Sequence, residues 1–431
     1  MTELFPPLPP ETKTILDGIP GLIDKVFPLP RRFRSGLPFD IAELSEAFTS
    51  DRGSRGVSYL GKPNLLSAYL RYFLPWNLYR LCRLLPGLDL PLNVLHKSNT
   101  QCNTYSNTHI EADTIADPIA ITDLGSGPLT LPIALWITRP ELRELNLEFR
   151  CLDQTGAVLD AGKKLFCALA GGNSKWTIRT IKGNLGTPVH GGPAQLVTAV
   201  NLFNELFQDL PHTDSAGLRR LAEKNARLLD ALAGSSGSIL VIEPGVPRSG
   251  EFIAALRDSL IALGRSPVSP CPHNGACPFP GGKTAEQGMY GAANNKWCHF
   301  AFETDSAPPA LLALSKTAGI PKERAVLSFL LAGPHRQDSA HSPESAVMPE
   351  GVAGSGSTKI QVRIISDPFP VAQGGTGRYG CSAEGLVLVT GTRGALEEMN
   401  SGMLAEFNKP TEKEEKRDSK SGALIIRTQQ V

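Results

Sequence analysis

The sequence predicts an α/β protein: a mostly parallel sheet with helices on both faces, a helical region before it and a small β-rich extension after it. Three observations carry this reading. From about Asp117 onward, short apolar runs alternate with segments of helical period. A glycine turn, Asp123-Leu-Gly-Ser-Gly-Pro128, stands where the first apolar run gives way to the first helical one. After a stretch rich in Gly, Ser, Pro and Glu at 335–357, helical period is lost and short strand-like runs follow.

The elements follow in order. Residues 1–115 read as a helical region and a candidate RNA contact. Prolines at 6–10, 28 and 30 separate amphipathic stretches at 40–48 and 65–84, the second interrupted by Pro75. Arg31, Arg32 and Arg34, and again Arg52 and Arg55, form basic clusters that suit either solvent or RNA phosphate. Residues 116–334 hold the α/β domain. Strands are expected at 118–123, 147–153, 176–181, 196–201, 239–242, 267–270 and 325–331, with helices at 129–137, 157–169, 218–232 and 252–263. Pro128 and Pro132 are tolerated near the first turn of the 129–137 helix. Residues 335–357 read as a linker. The extension, 358–431, has strand-like runs at 360–365, 386–390 and 424–426, with an exposed charged segment at 409–420.

Composition narrows the classes. With 431 residues the chain has room for two to three domains and a sizeable core. Hydrophobic residues at 41% and charged residues at 20% mark an ordinary globular protein. A net charge of +1 excludes a bulk polycation, so any nucleic-acid contact is a local patch. No apolar run reaches the roughly 20 residues of a membrane span, so no membrane association is expected. The opening MTELFPPLPPETK has acids and prolines where a secretory signal has a basic start and an apolar core. The expectation is a cytoplasmic protein. Eight cysteines are too few for a disulfide scaffold in this length.

At the glycine turn, Gly125 and Gly127 let the backbone approach a ligand that a Cβ would exclude. The turn is not a P-loop, because no Gly-Lys-Ser/Thr follows, and Thr130 stands where a dinucleotide fingerprint has its third glycine. The second strand ends in Asp153, a carboxylate able to accept hydrogen bonds from ribose hydroxyls. The fourth ends at Asn201, with Glu205 just beyond.

Four cysteines lie in loop settings: Cys271 and Cys277 in Pro-Cys-Pro-His-Asn-Gly-Ala-Cys, Cys298 in Trp-Cys-His-Phe, and Cys381 in Tyr-Gly-Cys-Ser. Four thiolates suit a tetrahedral zinc site or an iron–sulfur cluster, and His273 or His299 is placed to replace one of them on zinc. Cys82, Cys102, Cys151 and Cys167 fall in helical or strand patterns and read as small buried hydrophobes.

Asp123, Gly125, Gly127, Asp153 and Asn201 together resemble the S-adenosylmethionine pocket of class I methyltransferases. More of the chain, roughly 60–400, resembles the small-ribosomal-subunit methyltransferase-like family of bacteria and mitochondria. The segments are DLGSGPLTLPIALW, FRCLDQT, NLFNEL, VIEPGVPRSGEFIAALRDSLI, SPCPHNGACPF and WCHF. The resemblance implies a Rossmann-like class I methyltransferase sheet, S-adenosylmethionine, a [4Fe–4S] cluster on Cys271, Cys277, Cys298 and Cys381, and action on small-subunit rRNA. It further implies a monomer, in the cytoplasm of a bacterium or the mitochondrial matrix of a eukaryote. Residues 280–296 are longer here than in mitochondrial relatives. No catalytic residue follows: where amino-directed methyltransferases carry Asn/Asp-Pro-Pro-aromatic, this chain has Asn201-Leu-Phe-Asn204. Two roles stay open, an rRNA methyltransferase and a non-catalytic assembly factor, with a zinc-binding RNA module as a third.

Overall fold

The apolar runs at 119–124, 147–153, 196–200 and 238–244 become strands buried almost from end to end, as a parallel sheet covered on both faces requires, while the outlying run at 176–182 is only partly buried. In the computed structural model, which describes residues 3–49, 62–92, 117–207, 210–211, 213–282, 296–336, 358–371, 375–411 and 413–428, the first sheet has eight strands. They are β1 (Ile119–Leu124), β2 (Leu147–Asp153), β3 (Trp176–Lys182), β4 (Leu196–Val200), β5 (Ser238–Pro244), β6 (Arg265–Ser269), β7 (Phe300–Glu303) and β8 (Arg324–His335). Their order is β3-β2-β1-β4-β5-β8-β6, with β7 also paired to β8. Strands β1 to β5 are mutually parallel, and β8 runs antiparallel to β5, β6 and β7. One reversed strand inserted before the sixth makes this the Rossmann-like class I methyltransferase sheet. The chain steps outward from β1 to β3 and then restarts at β4. The switch point, where open α/β sheets bind ligands, is therefore at the carboxyl ends of β1 and β4.

Helices cover the sheet in two groups. An N-terminal layer comprises α1 (Pro10–Val26), α2 (Arg31–Arg34), α3 (Leu37–Thr49), α4 (Pro63–Ala68) and α5 (Leu74–Leu84). The sheet is flanked by α6 (Thr130–Thr138), α7 (Gly156–Ala170), α8 (Phe203–Leu206), α9 (Ser215–Ala233), α10 (Pro247–Ala262) and α11 (Pro309–Thr317). The N-terminal layer is fastened to β7 and to α11 by buried polar tips on aromatic bodies. Tyr79 Oη donates to the Glu303 carbonyl (2.9 Å), and Trp76 Nε1 donates to Ser315 Oγ (3.1 Å).

A second sheet holds β9 (Lys359–Ile364), β10 (Phe369–Pro370), β11 (Thr376–Ser382), β12 (Gly385–Gly391), β13 (Leu404–Asn408) and β14 (Leu424–Arg427), ordered β13-β9-β11-β12-β14 with β10 on β11. Arg363 on β9 ties it to the first sheet: its Nε donates to the Pro270 carbonyl (2.9 Å).

Several expectations are corrected. Pro75 does not interrupt the 65–84 helix. The turn Tyr69–Phe73 widens to a π-helix, closed by Leu74 N–H to the Tyr69 carbonyl, and Pro75 falls in the first turn of α5. The wider turn accommodates a residue that has no N–H and whose ring would clash in an ordinary α-turn. Cys167 is exposed, on the solvent side of α7, whereas Cys82 and Cys151 are buried as expected; Cys102, Arg52 and Arg55 lie outside the described residues. Asn201 is not strand but a left-handed residue, φ 53°, that turns the chain off β4. His335, expected to begin the linker, ends β8, with its Nε2 2.7 Å from Asp230 Oδ1; residues 337–357 lie outside the described residues. Among the described residues no helix is long and apolar enough to cross a membrane.

Candidate cofactor crevice and cysteine cluster

The end of β1 enters the turn through Asp123, which is buried and accepts from Thr198 Oγ1 (2.6 Å) across the register pair Asp123–Thr198 on β4. Burial pushes its carboxyl up to about 6, against the hydrogen bonds of Thr198 and Ser126. Asp123 thus pins β1 to β4 behind the crevice wall. Gly125 and Gly127 both have positive φ, +64° and +51°, which glycine adopts without strain.

Asp153 clasps this turn from β2. Its Oδ2 accepts from Gly127 N–H (3.0 Å) and its Oδ1 from Thr155 N–H (2.8 Å). Burial raises its pKa and these two donors oppose the rise. A carboxylate has about four lone-pair sites. Two are taken here, and two remain on a half-buried group to meet ligand hydroxyls.

The fourth side of the crevice is the segment after β4. Asn201 N–H donates to the Ile242 carbonyl (2.8 Å), and Leu202 then folds over the glycine turn: a Cβ on Gly125 would stand 2.7 Å from Leu202 Cδ1. Sequence reasoning missed what holds this segment. Glu243, fully buried at the end of β5, accepts from Phe203 N–H at Oε1 (2.8 Å) and Asn204 N–H at Oε2 (3.0 Å). Burial pushes Glu243 up to about 8, with the backbone donors opposing and Glu205 adding to the rise. The available signal was an acid closing an otherwise apolar strand, Ile-Leu-Val-Ile-Glu.

Tyr69, on the π-turn, leans over the mouth, its Oη 3.9 Å from where a Gly127 Cβ would stand. Burial, then the charges of Glu205 and Asp153, raise its pKa. Behind it Arg80 Nη2 donates to Asn77 Oδ1. Burial lowers the pKa of Arg80, and burial with the charge of Arg80 lowers Lys322 to about 8. Neither cation forms an ion pair among the described residues.

The four cysteines are brought to one region from the loop after β6, the segment entering β7, and β11; Cys381, expected in a loop, lies in strand β11, whose pairing with β12 and β9 no local pattern announced. Cys298 feels the charges of Cys271 and Cys277, and Cys381 those of Cys277, Cys271 and Cys298. Burial raises the thiols of Cys298 and Cys381 and pushes Cys277 up to about 12. Two buried arginines organise the cluster. Arg257, on α10, donates from Nε to Cys271 Sγ (3.1 Å) and from Nη2 to the carbonyls of His273 (2.9 Å) and Gly275 (2.7 Å). Arg363 is the register partner of Cys381 and feels Cys271, Cys298 and Cys381. Neither arginine was singled out from sequence; Arg257 was legible as a cation inside Phe-Ile-Ala-Ala-Leu-Arg-Asp-Ser-Leu. As placed, no three His, Cys, Asp or Glu side chains among the described residues form a ready-made metal site. His273 Nε2 lies 3.5 Å from Cys381 Sγ, while His273 Nδ1 is buried without a hydrogen-bond partner.

Similarity to known proteins is of two kinds. A family model described as mitochondrial small ribosomal subunit Rsm22 matches residues 117–368. Among solved structures, a magnesium protoporphyrin IX methyltransferase from Synechocystis PCC 6803 with bound SAM is 13% identical (TM-score 0.28), covering 68% of this chain and 97% of that one. A SAM-dependent methyltransferase from Thiobacillus denitrificans in complex with S-adenosyl-L-homocysteine is 12% identical (TM-score 0.28; 51% and 86%). A methyltransferase from Pyrococcus furiosus is 12% identical (TM-score 0.25), covering 35% of this chain and 66%, just under two thirds, of that one. At such scores the fold assignment rests on the strand order. No curated protein matches the chain.

Proposed function

The chain belongs to the Rsm22 family of the mitochondrial small ribosomal subunit, and from that premise we propose that it binds S-adenosylmethionine at the β1/β4 switch point and acts on small-subunit rRNA. The observation that carries the cofactor is the Asp153 clasp on Gly127, which leaves carboxylate lone pairs at the place where a ribose would lie. Gly125 and Gly127 would admit the amino-acid end of the ligand, and Asn201 would line the far wall. S-adenosylmethionine, when bound, supplies an electrophilic methyl group. The chain's own contribution is to orient it: Asp153 holds hydroxyls, and Tyr69 and Leu202 exclude water from above the turn.

The cysteines fit a thiolate-held metal group. In support, the four thiols lie in one region, His273 Nε2 stands 3.5 Å from Cys381 Sγ, and two guanidiniums offset the negative charge that four thiolates would carry. We assign them a [4Fe–4S] cluster on Cys271, Cys277, Cys298 and Cys381, with zinc as the competing occupant. Bound there, the group would couple folding of the second sheet to metal supply. Anaerobic purification separates the two: iron with equimolar labile sulfide and visible absorbance, or a colourless zinc protein.

A second reading is favoured by Leu202, which packs on Gly125 and narrows the crevice, and by the absence of an Asn-Pro-Pro-aromatic motif at 201–204. In it the protein is a monomeric assembly factor of the small subunit that transfers no methyl group. Incubation of the full chain with purified small subunits and methyl-labelled S-adenosylmethionine decides. Label in rRNA that is lost in Asp153→Ala makes it a methyltransferase; co-sedimentation without label makes it a factor; neither sinks the ribosomal reading. The compartment follows the cell: mitochondrial matrix in a eukaryote, cytoplasm in a bacterium.

A further inference from the structure

The most exposed large apolar side chains among the described residues are Phe39 (77%) and Phe33 (52%), six residues apart, at the start of α3 and on α2. Burying a phenylalanine is worth roughly 1.5–3 kcal/mol, so two rings left in water on one short stretch point to a partner. Their neighbours Arg31, Arg32 and Arg34 are all exposed, and α2 has no acid. Arg32 stacks its guanidinium 4.8 Å above the Phe33 ring, and Arg34 Nε donates to the Leu29 carbonyl (3.2 Å). None of the three has a carboxylate partner among the described residues. The first acid of α3, Asp40, is already engaged by Asn64 Nδ2 (3.0 Å).

A partner for this face must be polyanionic and must also offer flat apolar surface. A duplex gives phosphates but keeps its base faces stacked inside; an acidic peptide gives charge without flat rings at regular spacing. An unpaired nucleic-acid strand gives both, through arginine–phosphate contacts and base–aromatic stacking. The same helix reaches the crevice at its other end and on its other face. Phe48 of α3 packs edge-on against Phe73 (4.9 Å) and Tyr69 (6.3 Å), and Tyr69 overhangs Gly127.

We propose that α2 and the start of α3 dock an unpaired stretch of RNA, with phosphates on Arg31, Arg32 and Arg34 and bases stacked on Phe33 and Phe39. This rests on the ribosomal-RNA reading above. The test uses the full chain and fluorescence anisotropy with a labelled oligouridine of about a dozen nucleotides and a blunt RNA duplex as probes. The triple variant Arg31→Ala/Arg32→Ala/Arg34→Ala is expected to bind oligouridine at least about tenfold more weakly, and its log–log salt slope to fall by about 2, near 0.7 per phosphate contact. Phe33→Ala/Phe39→Ala is expected to lose at least about thirtyfold with the slope unchanged and duplex binding unaffected. Both keep wild-type affinity for S-adenosylmethionine, which reports an intact fold. Wild-type protein that binds no RNA overturns this proposal and the rRNA reading together. Wild-type binding with unchanged variants overturns this proposal alone. Loss of small-subunit co-sedimentation in the Phe variant, with oligouridine binding intact, gives the face to a ribosomal protein and overturns it also.

Discussion

Replacing Glu243 by glutamine keeps the shape of a fully buried side chain and changes only its hydrogen-bonding and its proton. In the wild type, Oε1 takes Phe203 N–H and Oε2 takes Asn204 N–H; the Asn204 amide, oriented to satisfy its surroundings, adds a donor to Oε2 at 3.0 Å. A glutamine nitrogen facing Asn204 N–H sets donor against donor. One buried donor left unpaired costs about 1–3 kcal/mol, and Glu243→Ala, which strands both backbone groups, about 2–6 kcal/mol. The pH dependence gives a sharper signature. With the folded carboxyl at about 8 and the ordinary value at 4.5, the unfolded chain releases this proton first as pH rises. The folded state binds more protons inside that window, so Glu243's contribution is full below 4.5 and is lost as pH climbs through 8, at up to about 1.4 kcal/mol per unit. The glutamine variant has no such proton to release. Urea midpoints followed by circular dichroism across this window should show wild-type stability falling relative to Glu243→Gln as pH rises. A difference that stays flat or grows with pH refutes the reasoning.

Other outcomes follow from the same contacts. Thr198→Val removes the hydroxyl that donates to the buried Asp123 carboxyl group at 2.6 Å and should cost about 1–3 kcal/mol in urea unfolding. Gly125→Ala forces an alanine to φ +64° and a Cβ to 2.7 Å from Leu202 Cδ1; a loss of at least about 1–2 kcal/mol and weaker S-adenosylmethionine binding are expected, by thermal shift and calorimetry. Arg257→Leu leaves the buried side of Asp258 and two loop carbonyls without their donor, and should destabilise by about 3–5 kcal/mol. Arg363→Met cuts the tie to Pro270 and should lower metal content, by elemental analysis, while far-ultraviolet dichroism keeps its shape.

The middle strands of the first sheet were legible because they are buried on both faces, so apolar runs such as Ile-Leu-Val-Ile announce themselves. The strand Thr376–Ser382 was not, although it carries Cys381: Thr-Gly-Arg-Tyr-Gly-Cys-Ser has neither an apolar run nor alternation, and its β-structure comes from pairing with β12 and β9. Pro10–Val26 was hidden by Pro20 inside it, though Leu16, Ile19 and Ile23 keep helical spacing on its buried face. The glycine turn and Asp153 could be placed from sequence because strand ends and glycines are local signals. That Asp123 faces Thr198, or that Glu243 holds the loop after β4, depends on register between strands far apart in the chain, which no local pattern encodes.

Calorimetric titration of the full chain with S-adenosylmethionine, beside Asp153→Ala, addresses the β1/β4 crevice most directly. Loss of a charged hydrogen-bond acceptor is worth about 1.5–3 kcal/mol, so saturable one-site heat in the wild type and about ten- to a hundredfold weaker binding in the variant are predicted. Absence of binding by the intact protein, or equal affinity in the two, contradicts the account.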